Sequence, residues 1–144
     1  MSIFPLNDDK FTQVRALDLP IGHYAITASG PLGVREIRQI GDIDLIVDDA
    51  LWNKLEQKYG QIIEEGIKKI RIGDDIEVLG EGSFLTHFEG TPSVLAQIDE
   101  AEILNGLPFI KLERLLYFKR EMNRPKDQAD IRAIEELLAR GPKA

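Results

Sequence analysis

Apolar and polar positions run through this chain as short strand-like segments separated by turn residues, followed by a longer helical tail. Residues 8–17 (DDKFTQVRAL) predict a short amphipathic helix capped by Asp8 or Asp9 and stopped at Leu19-Pro20. His23 to Ala28 is a compact β-prone run that ends at Ser29-Gly30-Pro31. Ser29 suits a helix cap and Pro31 a first helical position, so a helix is expected over Leu32 to Gln39. Arg35 and Arg38 would then lie three residues apart on one helical face. Asp42-Ile-Asp-Leu-Ile-Val47 is the clearest strand, and Asp48-Asp49 would cap a helix from Ala50 to Lys58 that Gly60 ends.

Ile67 to Ile72 and Ile76 to Leu79 flank Gly73-Asp74-Asp75 and predict a hairpin. Gly80 to Gly90 reads as a loop, Pro92 to Ile98 as a short helix and Glu102 to Leu104 as a short strand. Leu112 to Met122 and Lys126 to Ala139 form two helices broken at Arg124-Pro125. Early helix–strand alternation with a late helix pair argues an α/β or α+β fold built on a small mixed sheet.

The chain has 144 residues, which suits a single domain able to bury roughly two thirds of its unfolded surface. Its hydrophobic content of 43% and charged content of 30% are ordinary for a globular protein. A formal charge of −7 argues against a general nucleic-acid coat, although it leaves room for a local basic site. The absence of cysteine excludes disulfides, thiolate metal sites and cysteine nucleophiles. His23 and His87 are the only histidines, too few for a histidine-rich metal site, and each is expected either in the core or in solvent. Met1 to Lys10 lacks the pattern of a signal peptide, and no apolar run approaches the roughly 18 residues of a membrane span. A cytoplasmic, non-membrane protein is expected.

Candidate chemistry concentrates on the strand bearing Asp42 and Asp44. Alternate strand residues share a face, so these two carboxylates point one way while Ile43 and Leu45 point the other. Paired carboxylates raise one pKa unless a cation lies between them, and hard oxygen ligands without His or Cys favour Mg²⁺ or Mn²⁺. The plain alternative is a solvated strand end. Glu77 sits between Ile76 and Val78 in a second acidic position within apolar surroundings. It would join the first two if its strand lies beside theirs; otherwise it belongs to an exposed face. Upstream, the strand–Ser29-Gly30-Pro31–helix element offers small residues and a helix start to a phosphate, or is simply a capped helix.

In this order, Thr27-Ala28-Ser29-Gly30, Gly41-Asp42-Ile43-Asp44-Leu45-Ile46-Val47 and Ile76-Glu77-Val78 resemble the DNA-polymerase-β-like nucleotidyltransferase superfamily. The C-terminal Leu115-Leu116-Tyr117-Phe118-Lys119 and Arg124-Pro125-Lys126-Asp127-Gln128-Ala129-Asp130-Ile131 look like the helical tail of its small stand-alone members. The likeness runs from about residue 22 to about residue 138. It implies an α+β nucleotidyltransferase-like domain over 1–144, with a core over about 22–104 and C-terminal helices over about 111–139.

The resemblance implies that Asp42, Asp44 and Glu77 hold two Mg²⁺ (or Mn²⁺) ions and serve catalysis, and that Ser29 and Gly30 contact nucleotide phosphates. Two departures stand out: Ala28 occupies the turn where the family has Gly, and Glu77 replaces the common Asp. Arg35 and Arg38 would reach the phosphates from the short helix, or else pair with surface acids. Lys119 would point at the nucleotide, or be an ordinary helix-face lysine. Lys126 is a further phosphate candidate, whereas Asp127 and Asp130 read as mainly structural. Trp52 and Leu55 share one helical stripe expected to face the sheet.

The activity implied is metal-dependent transfer of a nucleoside monophosphate from an NTP to a small molecule, an RNA end or a protein. The competing expectation is a degenerate domain that binds a nucleotide or partner without chemistry. Small members lack a second domain to hold an acceptor, so a homodimer or partner protein would complete the site. Such proteins often occur in bacterial toxin–antitoxin pairs, an association of the family rather than of any residue.

Overall fold

The computed structural model describes residues 6–81 and 92–140. The order of elements is α1 (Asp8–Ala16), β1 (Tyr24–Thr27), α2 (Gly30–Val34), β2 (Ile43–Val47), α3 (Asp49–Tyr59), β3 (Ile62–Glu64), β4 (Ile67–Ile72) and β5 (Ile76–Leu79). Then follow α4 (Val94–Asp99), β6 (Glu102–Leu104), β7 (Leu107–Phe109), α5 (Leu112–Met122), a 3₁₀ turn (Pro125–Asp127) and α6 (Gln128–Ala139). The protein is α+β: seven strands form one mixed sheet in the order β3-β4-β5-β2-β1-β7-β6.

The alternation of each strand sends side chains to two separate cores. One face carries Ile26, Leu45, Ile70 and Val78 and packs against Phe11 and Val14 of α1 and Leu51 and Leu55 of α3. Phe11 and Phe109 meet there edge to face. The opposite face carries Ala25, Ile46 and Leu79 and packs against α4, α5 and α6 through Val94, Leu115, Phe118 and Ile134. Strands buried on both faces read as continuous apolar runs, as Tyr24–Thr27 and Ile43–Val47 do apart from Thr27 and Asp44.

Local signals explain most boundaries. The Asp48 carboxylate accepts the Leu51 amide at 2.9 Å, and Ser93 accepts the Ala96 amide at 3.1 Å, each fixing a helix start. Gly60 ends α3 with φ +75°. Trp52 and Leu55 do face the sheet, and the Lys68 ammonium lies over the Trp52 ring.

Two features depart from expectation. The helix anticipated over Leu32 to Gln39 ends at Val34, because Glu36 adopts φ +59° and breaks it. Arg35 and Arg38 therefore share no helical face. Two extra strands, β3 and β7, close hairpins with β4 and β6 through Glu65-Gly66 and Asn105-Gly106, all four residues having positive φ. The Gly80 to Gly90 loop, with His87, falls almost wholly outside the described residues. His23 is exposed and pairs through Nδ1 with Asp48.

Candidate active-site cleft

The cleft begins where β1 ends. Ala28 turns the chain with φ +54°, a left-handed conformation that an L side chain resists. The next residues start α2, whose Gly30 lies so close to β1 that an added Cβ would fall 2.1 Å from Ile26 Cγ2. Ser29 departs from its expected role: its carbonyl accepts the Gly33 amide at 2.9 Å, but its hydroxyl caps nothing. That hydroxyl instead accepts Arg38 Nη2 at 3.0 Å.

Arg38 is positioned by a residue the sequence did not single out. Buried Asn7 donates Nδ2 to the carbonyls of Gly33 (3.2 Å) and Arg38 (3.1 Å) and accepts the Ile40 amide at 2.9 Å. Arg35 turns away from the cleft; it donates to the Pro31 carbonyl at 2.7 Å and lies 3.7 Å from Glu102. Burial lowers its pKa.

Across the sheet, Thr27, Asp44, Glu77 and Arg71 occupy one row, since Thr27 pairs with Asp44, Asp44 with Glu77 and Glu77 with Arg71. The strand of Glu77 thus lies directly beside that of Asp44, parallel and in register. Asp42 sits one residue before β2 and is exposed. Asp44 is partly buried and has neither a hydrogen bond nor an ion pair among the described residues. Burial, then the charges of Glu77 and Asp42, push its carboxyl up to about 7, with Lys69 opposing. Glu77 differs. Its Oε1 accepts Arg71 Nη2 at 2.8 Å and its Oε2 lies 3.4 Å from Lys69 Nζ.

The chemistry of this donor set suits one divalent cation better than two. An unpartnered carboxylate beside like charges is stabilised by a cation, which describes Asp44 with Asp42. Both oxygens of Glu77 are already satisfied. No group of three or more His, Cys, Asp or Glu side chains placed to hold a metal occurs among the described residues.

Opposite Asp44 stand the C-terminal helices. Arg38 donates Nε and Nη2 to the two oxygens of Asp130, each at 2.8 Å, and Lys119 Nζ lies 3.0 Å from the same carboxylate. Arg124 donates Nε to Asp127 at 2.7 Å. Asp127, Asp130 and Lys119 are all buried. Burial raises the two carboxyls, but the bonds from Arg124 to Asp127 and from Arg38 and Lys119 to Asp130 outweigh it, so both titrate below the ordinary range. Asp127 and Asp130 are structural in the sense that they anchor three cations at a cavity wall.

That cavity has a volume of about 450 Å³. Thr27, Ala28, Ser29 and Asp44 line one side, Arg38, Lys119, Arg124 and Lys126 another, and Leu79, Leu115, Phe118 and Met122 give an apolar wall. The structure therefore brings together Ser29, Arg38, Asp44, Lys119 and Lys126 of the expected site residues. Gly30, Arg35, Asp42 and Glu77 lie outside the lining. Arg124 and Asn7 were missed: Arg124 reads as a helix break before Pro125, and Asn7 lies in a segment without periodicity.

No family model, curated protein or solved structure matches the chain. No helix among the described residues is long and apolar enough to cross a membrane.

Proposed function

We propose that the protein is a metal-dependent nucleotidyltransferase that transfers a nucleoside monophosphate from an NTP to an acceptor hydroxyl. The observation that carries this reading is the convergence in one cleft of the β1–α2 turn, an unpartnered, partly buried carboxylate at Asp44 and a group of anchored cations facing it. Lys119, Arg38 and Arg124 are held by carboxylates and line the cavity, an arrangement of cations suited to phosphate oxygens. Lys126 is exposed at the lining and has no ionic or hydrogen-bonding partner among the described residues. The apolar wall of Leu115, Phe118 and Met122 gives a base and sugar a dry surface.

Asp44 and Asp42 would hold one Mg²⁺ or Mn²⁺. When bound, such an ion supplies charge neutralisation at the transferring phosphoryl group. In the transfer, the acceptor hydroxyl releases its proton to solvent and its oxygen bonds to the α-phosphorus as the bond from that phosphorus to the α–β bridging oxygen breaks and pyrophosphate leaves. The role of the side chains is to align these atoms and to stabilise charge on the departing phosphates.

A second reading, a nucleotide-binding or partner-binding module without chemistry, is favoured by the ion pairs that occupy Glu77 and by the Ala28 methyl in the turn. Binding of the four NTPs in Mg²⁺ or Mn²⁺, wild type against D42N/D44N, tests both. Metal-dependent binding abolished in the double variant supports the transferase. Failure of a folded wild type to bind any NTP would sink it and direct attention to a partner protein, as in a two-gene toxin–antitoxin pair.

A further inference from the structure

The charges around Glu77 close on themselves. Lys69 and Arg71 lie on β4 and face the same side of the sheet as Glu77 on β5 and Glu64 on β3. Lys69 Nζ is 3.1 Å from Glu64 and 3.4 Å from Glu77; Arg71 Nη2 is 3.3 Å from Glu64 and 2.8 Å from Glu77. Two cations and two carboxylates thus cancel over three adjacent strands. The side chains of Lys69 and Glu77 are 12% and 18% exposed, whereas those of Arg71 and Glu64 are 44% and 49% exposed, so the inner pair is partly shielded from water and the outer pair faces it. Turning Glu77 toward an ion at Asp44 would leave the Lys69 ammonium with one acid and set two positive side chains beside a divalent cation. Both changes are unfavourable in a partly desolvated site.

We propose that Glu77 is not a metal ligand in this protein: Lys69 and Arg71 lock it, and the acidic row holds a single divalent cation at Asp42 and Asp44. The positive charge that a second ion would bring is then built into β4. This rests on the reading of Asp42 and Asp44 as metal ligands, and the assay below separates the failure of one from the failure of the other.

Mn²⁺ bound to the full chain at pH 8 can be counted by electron paramagnetic resonance of the free ion. The wild type should bind one Mn²⁺ per chain, E77Q should also bind one, and D44N none. K69M/R71M, which frees Glu77, should bind two, and adding E77Q to that double variant should return the count to one. Two ions in the wild type with one in E77Q, or one in the wild type with none in E77Q, would make Glu77 a ligand and overturn the lock while leaving the metal reading intact. No bound Mn²⁺ in the wild type, or binding that D44N leaves unchanged, would overturn the metal reading and the one-ion site with it. Circular dichroism reports whether K69M/R71M folds; if it does not, the wild-type and E77Q counts decide.

Discussion

Arg38 reaches 92 residues along the chain to grip both carboxylate oxygens of Asp130, Nε to one and Nη2 to the other, each at 2.8 Å. The pair joins the loop after α2 to the start of α6, and Lys119 adds a third charge to it. Removing one partner of a buried pair leaves the others uncompensated, which is costlier than never having had the pair.

Asp130→Asn should therefore destabilise the fold by about 3 kcal/mol near neutral pH and weaken nucleotide binding together. The acid side of the stability profile gives an independent reading. Asp127 and Asp130 titrate below the ordinary carboxylate value, so their contribution is complete above about pH 4 and lost as pH falls through the folded-state pKa. Urea midpoints from pH 2 to pH 7 should show a steep acid limb in the wild type and a shallower one in D130N. Equal limbs would refute the assignment.

Asn7 acts at one remove, through the backbone that carries Arg38. Its amide makes three bonds to Gly33, Arg38 and Ile40, two of them within the buried interior. Asn7→Ala strands those groups and should cost about 3 kcal/mol. Asn7→Asp should not rescue it, because a carboxylate cannot donate to the Gly33 and Arg38 carbonyls. Hydrogen exchange at the Ile40 amide distinguishes this from general destabilisation: protection there should drop further than in the β2 strand.

The β1–α2 turn permits opposite predictions at neighbouring positions. Ala28 holds φ +54°, so Ala28→Gly should be stabilising by up to about 1 kcal/mol as left-handed strain is relieved. Gly30→Ala should destabilise by about 2 kcal/mol or more, because its Cβ would sit 2.1 Å from Ile26 Cγ2. Ile26→Ala removes that methyl, so the double variant should cost less than the sum of the singles in a denaturation cycle. Additive costs would mean that the clash is relieved by backbone movement instead.

Much of this architecture was written in local signals. The strand at Ile43–Val47, the cap at Asp48 and the helix Leu112–Met122 follow from period and punctuation alone. The strand at Leu107–Phe109 escapes such a reading: Asn105-Gly106 is a strong hairpin turn, but Pro108 within a three-residue run conceals the strand that follows it. The helix after Pro31 was over-read because nothing in Arg35–Gln39 forbids a helix. Glu36 at φ +59° ends it, and Asn7, arriving from outside the segment, fixes the loop that follows through the Gly33 and Arg38 carbonyls and the Ile40 amide. The same limit governs the site. The hairpin turn at Gly73-Asp74-Asp75 already sets Arg71 and Lys69 beside Glu77, but only the sheet order brings Glu77 to Asp44, and only the return of α6 brings Asp130 to Arg38.

Asp44 itself supplies the last test. Its folded-state pKa of about 7 lies well above the ordinary aspartate value, so charging it is harder in the fold than in the unfolded chain. Its protonated form is fully tolerated below about pH 4, and stability is lost as pH rises from there through about 7. Asp44→Asn removes that charge, so its advantage over the wild type should grow with pH and level off near pH 8 at no more than roughly 4 kcal/mol. A bound cation offsets the same penalty, so Mn²⁺ should raise the wild-type melting temperature at pH 8, much less at pH 5, and at neither pH in D44N. Denaturant midpoints of both proteins at pH 5 and pH 8, with and without Mn²⁺, make the comparison. A wild type that matches D44N at both pH values would mean that Asp44 ionises freely and is not the carboxylate awaiting a cation.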